Sequence, residues 1–296
     1  MRQWIGFFLR IIGAVLFWFP RKFVRVLGIW IGFLWFDVLR IRRDIVLGNL
    51  SIAFPEMSEQ DKIEIGRASV YELGYQASEF LTLPFLNQKW VDKNVVIEGL
   101  NHLEAAMNEQ KGVYLLGMHM GFGDLVASVL SMKGVKINLI TKVFKNRLFN
   151  DIWFSIRGSQ GVRYINAHAD DNAFQILKAI KRKETVAFVL DQYMGPPFGI
   201  ETSFFGKKTG TAYGLALFYL KTGSPIVPIY AYESDSGKMH LCIEPALQVT
   251  QMIGDDREKN ILVLTQAFND TIERAVRKHP KAWMWVHRRW KNFGRE

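Results

Sequence analysis

The sequence predicts an α/β protein: a mixed, largely parallel sheet flanked by helices, with a hydrophobic membrane-anchoring helix ahead of it. Three observations predict it. Strand and helix signals alternate from Val95 to Lys278. The runs Val113–Gly117 and Thr185–Leu190 are nearly all apolar, as strands covered on both faces are. Residues 1–43 stand apart as a basic and aromatic segment, which divides the chain into an anchoring segment, 1–43, and a body, 44–296. With 296 residues, 49% hydrophobic and 22% charged, the chain can build a sizeable core and is too apolar for disorder. A mean hydropathy of +0.03 is far below that of a polytopic membrane protein.

The first segment carries Arg2, Arg10, Arg21, Lys22, Arg25, Arg40, Arg42 and Arg43 against one acid, Asp37. Between them lie two apolar stretches, Trp4–Phe19 and Phe23–Leu39. Basic residues mixed with Trp and Phe suit a water–lipid boundary. A nucleic-acid arm would be basic without this apolar load. Spanning a bilayer takes ~20 apolar residues. Trp4–Phe19 has 16, with Arg10 inside, and a mid-bilayer Arg costs roughly 2.5–3.5 kcal/mol. The expectation is one shallow or short spanning helix followed by an interfacial one. If the first spans, Arg21, Lys22 and Arg25 hold the body on the cytoplasmic side. A cleaved signal peptide is the rival, but Trp18-Phe19-Pro20-Arg21 stands where small residues should. Two ordinary core helices are the other reading.

Arg42–Leu50 completes a helix and Phe54-Pro55-Glu56 breaks the chain. Ser58-Glu59-Gln60-Asp61 is a capping box, opening a helix that runs to about Leu83 before Pro84. Strands are then expected at Val95–Leu100, Val113–Gly117, Ile137–Val143, Val162–Asn166, Thr185–Leu190, Ile226–Tyr232 and Met239–Val249. Helices are expected at Leu103–Gln110, Phe122–Met132, Leu148–Gln160, Asn172–Lys181, Thr211–Lys221 and Glu258–Lys278. Sites in such sheets lie beyond the carboxyl ends of the strands.

Gly117-Met118-His119-Met120-Gly121-Phe122-Gly123-Asp124 leaves a buried strand and opens a helix. On a continuous helix His119 and Asp124 would point apart. Gly121 and Gly123 let the chain fold back, so that the Asp124 carboxylate can meet one ring nitrogen and leave the other as a general base. No GxSxG elbow exists, and Cys242, the one cysteine, sits in an ordinary strand pattern. A His–carboxylate pair without an enzyme nucleophile suits activation of a substrate hydroxyl. A buried His beside a helix-capping Asp gives the same spacing. The third Gly of a dinucleotide loop is missing, since Val126 stands there.

Asp191-Gln192 closes the Thr185 strand and leads through Tyr193–Pro197 towards Phe204-Phe205-Gly206. A carboxylate and amide at a strand end suit a substrate pocket. Phe204 and Phe205 would line an acyl channel or belong to the core. Lys142, Lys145, Arg147, Arg157 and Arg163 form a basic group. It reads as a phosphate clamp or as a solvated face. One cysteine excludes an intramolecular disulfide and a Cys-based zinc site. The six His lack HExxH spacing, so neither a metal nor any other cofactor is implied. The net charge of +10 points to an anionic partner.

The His119-x4-Asp124 motif resembles the glycerolipid acyltransferase superfamily. More narrowly, the chain resembles the lipid A late acyltransferases, the lauroyl/myristoyl transferases of Gram-negative inner membranes. Asn49-Leu50-Ser51-Ile52-Ala53-Phe54-Pro55-Glu56, Asp191-Gln192 with Phe204-Phe205-Gly206, Thr222-Gly223-Ser224-Pro225-Ile226-Val227-Pro228 and Trp283-Met284-Trp285-Val286-His287-Arg288-Arg289-Trp290 all look like that family's blocks, in order. The resemblance implies transfer of an acyl chain from acyl carrier protein, or from coenzyme A, to a hydroxyl of a phosphorylated glycolipid. It implies a body on the cytoplasmic side of the inner membrane. It makes His119 the base and Asp124 the acid that orients it. It aligns Arg157 and the Asp191-Gln192 pair with the family's blocks as substrate-binding residues, and Arg147 of the basic group is expected to join them. The family usually has Glu at position 124; Asp is normal in the wider superfamily, which also acylates mannosylated phosphatidylinositol.

Two other classes compete with this reading. A membrane lipid-binding protein without catalysis would not need both His119 and Asp124. A nucleic-acid binder has the charge but no motif, and its basic residues would not be interleaved with lipid-like runs.

Overall fold

The computed structural model describes residues 2–291 and 293, with side chains from residue 5 onward. The side chains of Arg2 and Trp4 therefore lie outside the described residues.

Two helices open the chain, α1 (Arg2–Trp18) and α2 (Arg21–Phe33), and a wider turn, Leu34–Val38, extends the second. Neither is long and apolar enough to cross a membrane, nor is any other helix among the described residues. α1, where a shallow or short spanning helix was expected, has 17 residues and keeps Arg10 in its middle. α3 (Arg43–Ala53) and α4 (Glu59–Phe80) follow. Ser58 caps α4, its Oγ accepting from the Asp61 amide at 3.1 Å.

α2 packs along α4 through glycines. A Cβ at Gly28 or Gly32 would strike the backbone of Tyr75 or Tyr71, and one at Gly74 would strike α2 in return. This close approach lets ion pairs form across it. Arg67 holds Asp37 through Nε and Nη2, at 3.1 and 3.0 Å, and the Tyr71 hydroxyl donates to the same carboxylate at 2.7 Å. Arg21 Nε donates to Glu79 at 2.7 Å and Arg25 pairs with Glu233. The opposite side of this segment is apolar and exposed, including Phe8, Trp18, Phe23 and Trp30.

The body alternates as expected. α5 (Gln88–Asn94), β1 (Val95–Glu98), α6 (Leu100–Asn108), β2 (Val113–Gly117), α7 (Gly123–Met132), β3 (Ile137–Thr141), α8 (Arg147–Arg157), β4 (Arg163–Asn166), α9 (Asn172–Lys181) and β5 (Thr185–Val189) come first. Then follow β6 (Gly199–Phe204), β7 (Lys207–Ala212), α10 (Gly214–Thr222), β8 (Ile226–Glu233), β9 (Met239–Ile243) and α11 (Arg257–Lys278). Seven strands form one sheet in the order β1-β9-β8-β2-β5-β3-β4. β2 lies between β8 and β5 and is parallel to both; β8 and β9 are antiparallel, and β9 is parallel to β1. The sheet is therefore mixed and mostly parallel. Side chains from its two faces enter two separate apolar cores, one under α9, α10 and α11, the other under α6 and α7.

The region after β5 brings one correction and decides between two readings. Residues 199–212 form an antiparallel hairpin, so Thr211 lies in a strand and the helix starts at Gly214. The hairpin turns at Phe205-Gly206, both with positive φ (52° and 72°), as a tight two-residue turn requires. Phe204 and Phe205 are buried among Trp283, Trp285 and Trp290, so they are core residues and line no channel.

Candidate active site

Strand register builds the centre of the site. Gly117 of β2 pairs with Val189 of β5. His119 and Asp191 each lie two residues beyond that pair. In adjacent parallel strands such residues emerge side by side, roughly 5 Å apart at the backbone. His119 Nδ1 donates to Asp191 Oδ1 at 2.8 Å. Asp191 Oδ2 accepts from the His119 amide at 2.9 Å and from Trp283 Nε1 at 2.7 Å. The carboxylate is fully buried while the imidazole is 40% exposed. An acceptor-only carboxylate on Nδ1 sets the tautomer and leaves Nε2 open. Gln192 Nε2 approaches that nitrogen at 3.4 Å.

The expected contact between Asp124 and the His119 ring does not form, because Asp191 already occupies Nδ1. Asp124, in the first turn of α7, instead accepts from Arg157 Nε at 2.6 Å. Arg157 also donates through Nη1 to Thr141 Oγ1 at 3.3 Å and lies against the rings of Trp153, Phe154 and Tyr164. Two of its three nitrogens therefore serve the protein, so it is not the open phosphate fork expected of it. Arg147 is exposed at the start of α8.

Burial works against the charged imidazole, but the Asp191 carboxylate outweighs it, and the His119 pKa lies above its ordinary value. Asp124 adds to this and Arg157 opposes it. Burial would raise the Asp191 pKa, yet the His119 charge and its hydrogen bonds hold it below the carboxylate norm. Cys242 is buried and its thiol is pushed up to about 12, mainly by desolvation, so it is no nucleophile.

Sequence reasoning missed how the last residues hold this centre. Residues 282–284 run antiparallel to 119–121: Met284 N donates to His119 O and Gly121 N to Ala282 O, both at 3.0 Å. Gly121 has φ +60°, and a Cβ there would meet the backbone of Ala231. Arg289 is fully buried, and among the described residues no carboxylate hydrogen-bonds to it. Its Nη1 donates to Gly210 O at 2.5 Å and Gln192 O at 3.3 Å, its Nη2 to Thr211 Oγ1 at 2.7 Å and Asn269 Oδ1 at 3.2 Å. Burial lowers its pKa to about 10. His287, lowered to about 4 by burial, is neutral and accepts from the Tyr193 amide through Nε2 at 3.1 Å. Both residues thus hold the chain just after Asp191. The only available signal was the Trp-rich run itself.

An oriented histidine at the carboxyl end of two inner parallel strands, with no Ser, Thr or Cys side chain bonded to it among the described residues, suits a transferase that activates its acceptor. The model of the bacterial lipid A biosynthesis acyltransferase family matches residues 1–292, and the chain belongs to that family. It is an acyltransferase. It is 26% identical over 289 residues to a lipid A biosynthesis acyltransferase of Haemophilus influenzae, covering 96% of this chain and 85% of the relative. It is 23% identical to the lipid A biosynthesis lauroyltransferase of Escherichia coli K12, covering 92% and 86%. It is 24% identical to a phosphatidylinositol mannoside acyltransferase of Mycobacterium tuberculosis, covering 75% and 69%.

Proposed function

We propose that the protein acylates a hydroxyl of a phosphorylated glycolipid, a lipid A precursor, from an acyl thioester on acyl carrier protein. The bond between His119 Nδ1 and the buried Asp191 carries this reading. His119 Nε2 takes the hydroxyl proton as the oxygen attacks the thioester carbonyl. The tetrahedral intermediate collapses, expels the thiolate and forms the ester. His119 then returns the proton to the thiolate. Asp191 stays ionised throughout and stabilises the imidazolium. Asp124 and Arg157 act as one unit beside the ring, Arg157 fixing the carboxylate. Gln192 and Arg147 contact substrate.

The exposed apolar side of α1 and α2 supports a seat in the inner membrane with the body on its cytoplasmic face. Asp37 is held by Arg67 and Tyr71, while Arg10, Lys22 and Arg40 are exposed and can meet anionic lipid. Transfer by the purified protein tests the reading, with acyl carrier protein and coenzyme A thioesters compared on a lipid A precursor. His119→Ala is expected to reduce turnover by roughly 10²–10⁴-fold. Near-normal turnover by a folded His119→Ala protein would remove the base from the mechanism. Preference for the coenzyme A thioester would replace the donor.

A further inference from the structure

Among the described residues, large exposed apolar side chains are not scattered. Outside residues 5–41 they are Val143, Phe144, Phe149, Phe174, Met194 and Phe198, apart from Met252 and Leu262, which line a shallow groove between the β6–β7 hairpin and α11. Those six lie on the connections that leave the carboxyl ends of β3, β4 and β5, the end of the sheet that carries His119 and Asp191. Soluble surfaces seldom concentrate apolar side chains in this way.

We propose that this rim, led by residues 142–149, is a second membrane-contact surface that seats the mouth of the site on an anionic bilayer. The proposal rests on the membrane seat proposed above for α1 and α2. Lys142, Lys145 and Arg147 are all exposed there, and no acid occurs before Asp151. Cations alternating with Val143, Phe144 and Phe149 suit an interface in which rings enter the acyl boundary and cations meet phosphate. The rim also adjoins the N-terminal apolar surface. α1 and α8 pack on the same short turn, Leu83–Phe85. Phe17 meets Phe85 at 6.2 Å between ring centroids, Phe80 stacks on Trp153 of α8 at 4.2 Å, and Gln160 donates to Leu83 O at 2.9 Å. Phe144 and Phe149 both pack on Trp153, so the loop is held in place rather than trailing. An acceptor lipid could then reach His119 without leaving the bilayer surface.

Because the one cysteine is buried, a cysteine placed on the surface can be labelled selectively. The full-length variants Phe144→Cys, Phe8→Cys and Leu262→Cys would each carry an environment-sensitive nitrobenzoxadiazole dye. Vesicles of phosphatidylethanolamine and phosphatidylglycerol are expected to brighten and blue-shift the dye at 144 and at 8, not at 262. Replacing phosphatidylglycerol by phosphatidylcholine should weaken the response at 144. A response at 8 without one at 144 overturns the rim proposal and leaves the N-terminal seat standing. A response at 144 to acyl carrier protein and not to vesicles also overturns it, making the rim a protein dock. Silence at both positions removes both membrane readings.

Discussion

The two ends of the chain meet the rest of the protein by opposite means. The C-terminal residues 282–290 are held by polar groups: Asn49 Nδ2 donates to Trp285 O and His287 O at 2.7 Å, Ser69 to Trp283 O at 2.6 Å, and Thr209 to Arg289 O at 2.6 Å. Nearly every such bond is buried and directional, so this end fixes positions. The N-terminal helices hold on by glycine contacts and a few ion pairs along one side and leave their other side apolar and open. Trp18 is 87% exposed. Directional bonds suit a site whose atoms need placing to a fraction of an ångström. A broad apolar face suits a surface that must adapt to lipid.

Predictions at the polar end come first because their effects are largest. Asp191→Asn removes the carboxylate that holds the ring and its proton. Activity is expected to fall roughly 10²–10³-fold. Deprotonated His119 is the active base, and its pKa is raised in the native protein, so kcat/KM climbs with pH through a midpoint above the ordinary imidazole value. Without Asp191 that midpoint moves to lower pH, and a pH–rate profile reads the shift directly. Arg289→Met keeps much of the volume but strands Gly210 O, Thr211 and Asn269. A loss of about 3 kcal/mol is expected in urea unfolding, together with a lower kcat through the Asp191-Gln192 backbone.

Smaller effects sharpen the contrast. Arg157→Lys cannot copy the Nε bond to Asp124. A charge-assisted bond of this kind is worth about 1.5–3 kcal/mol, so kcat/KM should drop about tenfold or more, whereas Lys145→Arg should leave it unchanged with acceptor in detergent. Equal kinetics for the two variants would show that the Asp124–Arg157 bond is not needed for turnover. Trp30→Ser touches only the adaptable end. Trp30 is already 59% exposed, so the change should weaken vesicle partitioning by about 1 kcal/mol, near fivefold, and leave turnover in detergent alone.

Much of the fold was readable because the strands of the body are short apolar runs between helical periods. β2 and α9 have the bounds expected from sequence, and most other elements shift by a few residues. The β6–β7 hairpin was missed because its turn is Phe-Gly rather than Asn-Gly, and Lys207-Lys208-Thr209-Gly210 has no apolar alternation. At the site, His119 was legible but its partner was not. Asp124 is five residues away in sequence, Asp191 seventy-two. Local spacing favours the near acid, while strand register, which one sequence does not display, delivers the far one. The closing segment lacks any period at all, since its bonds are made to at least six separate parts of the chain.

That closing segment also sets an order of assembly. Residues 283–290 are synthesised after every strand of the sheet. On an emerging chain the N-terminal helices appear first and the strands can pair, while Asp191 still lacks Trp283 and Gln192 still lacks Arg289. The body can thus form before its site is latched, and a chain cut short at Ala282 would carry the His119 motif without the means to use it.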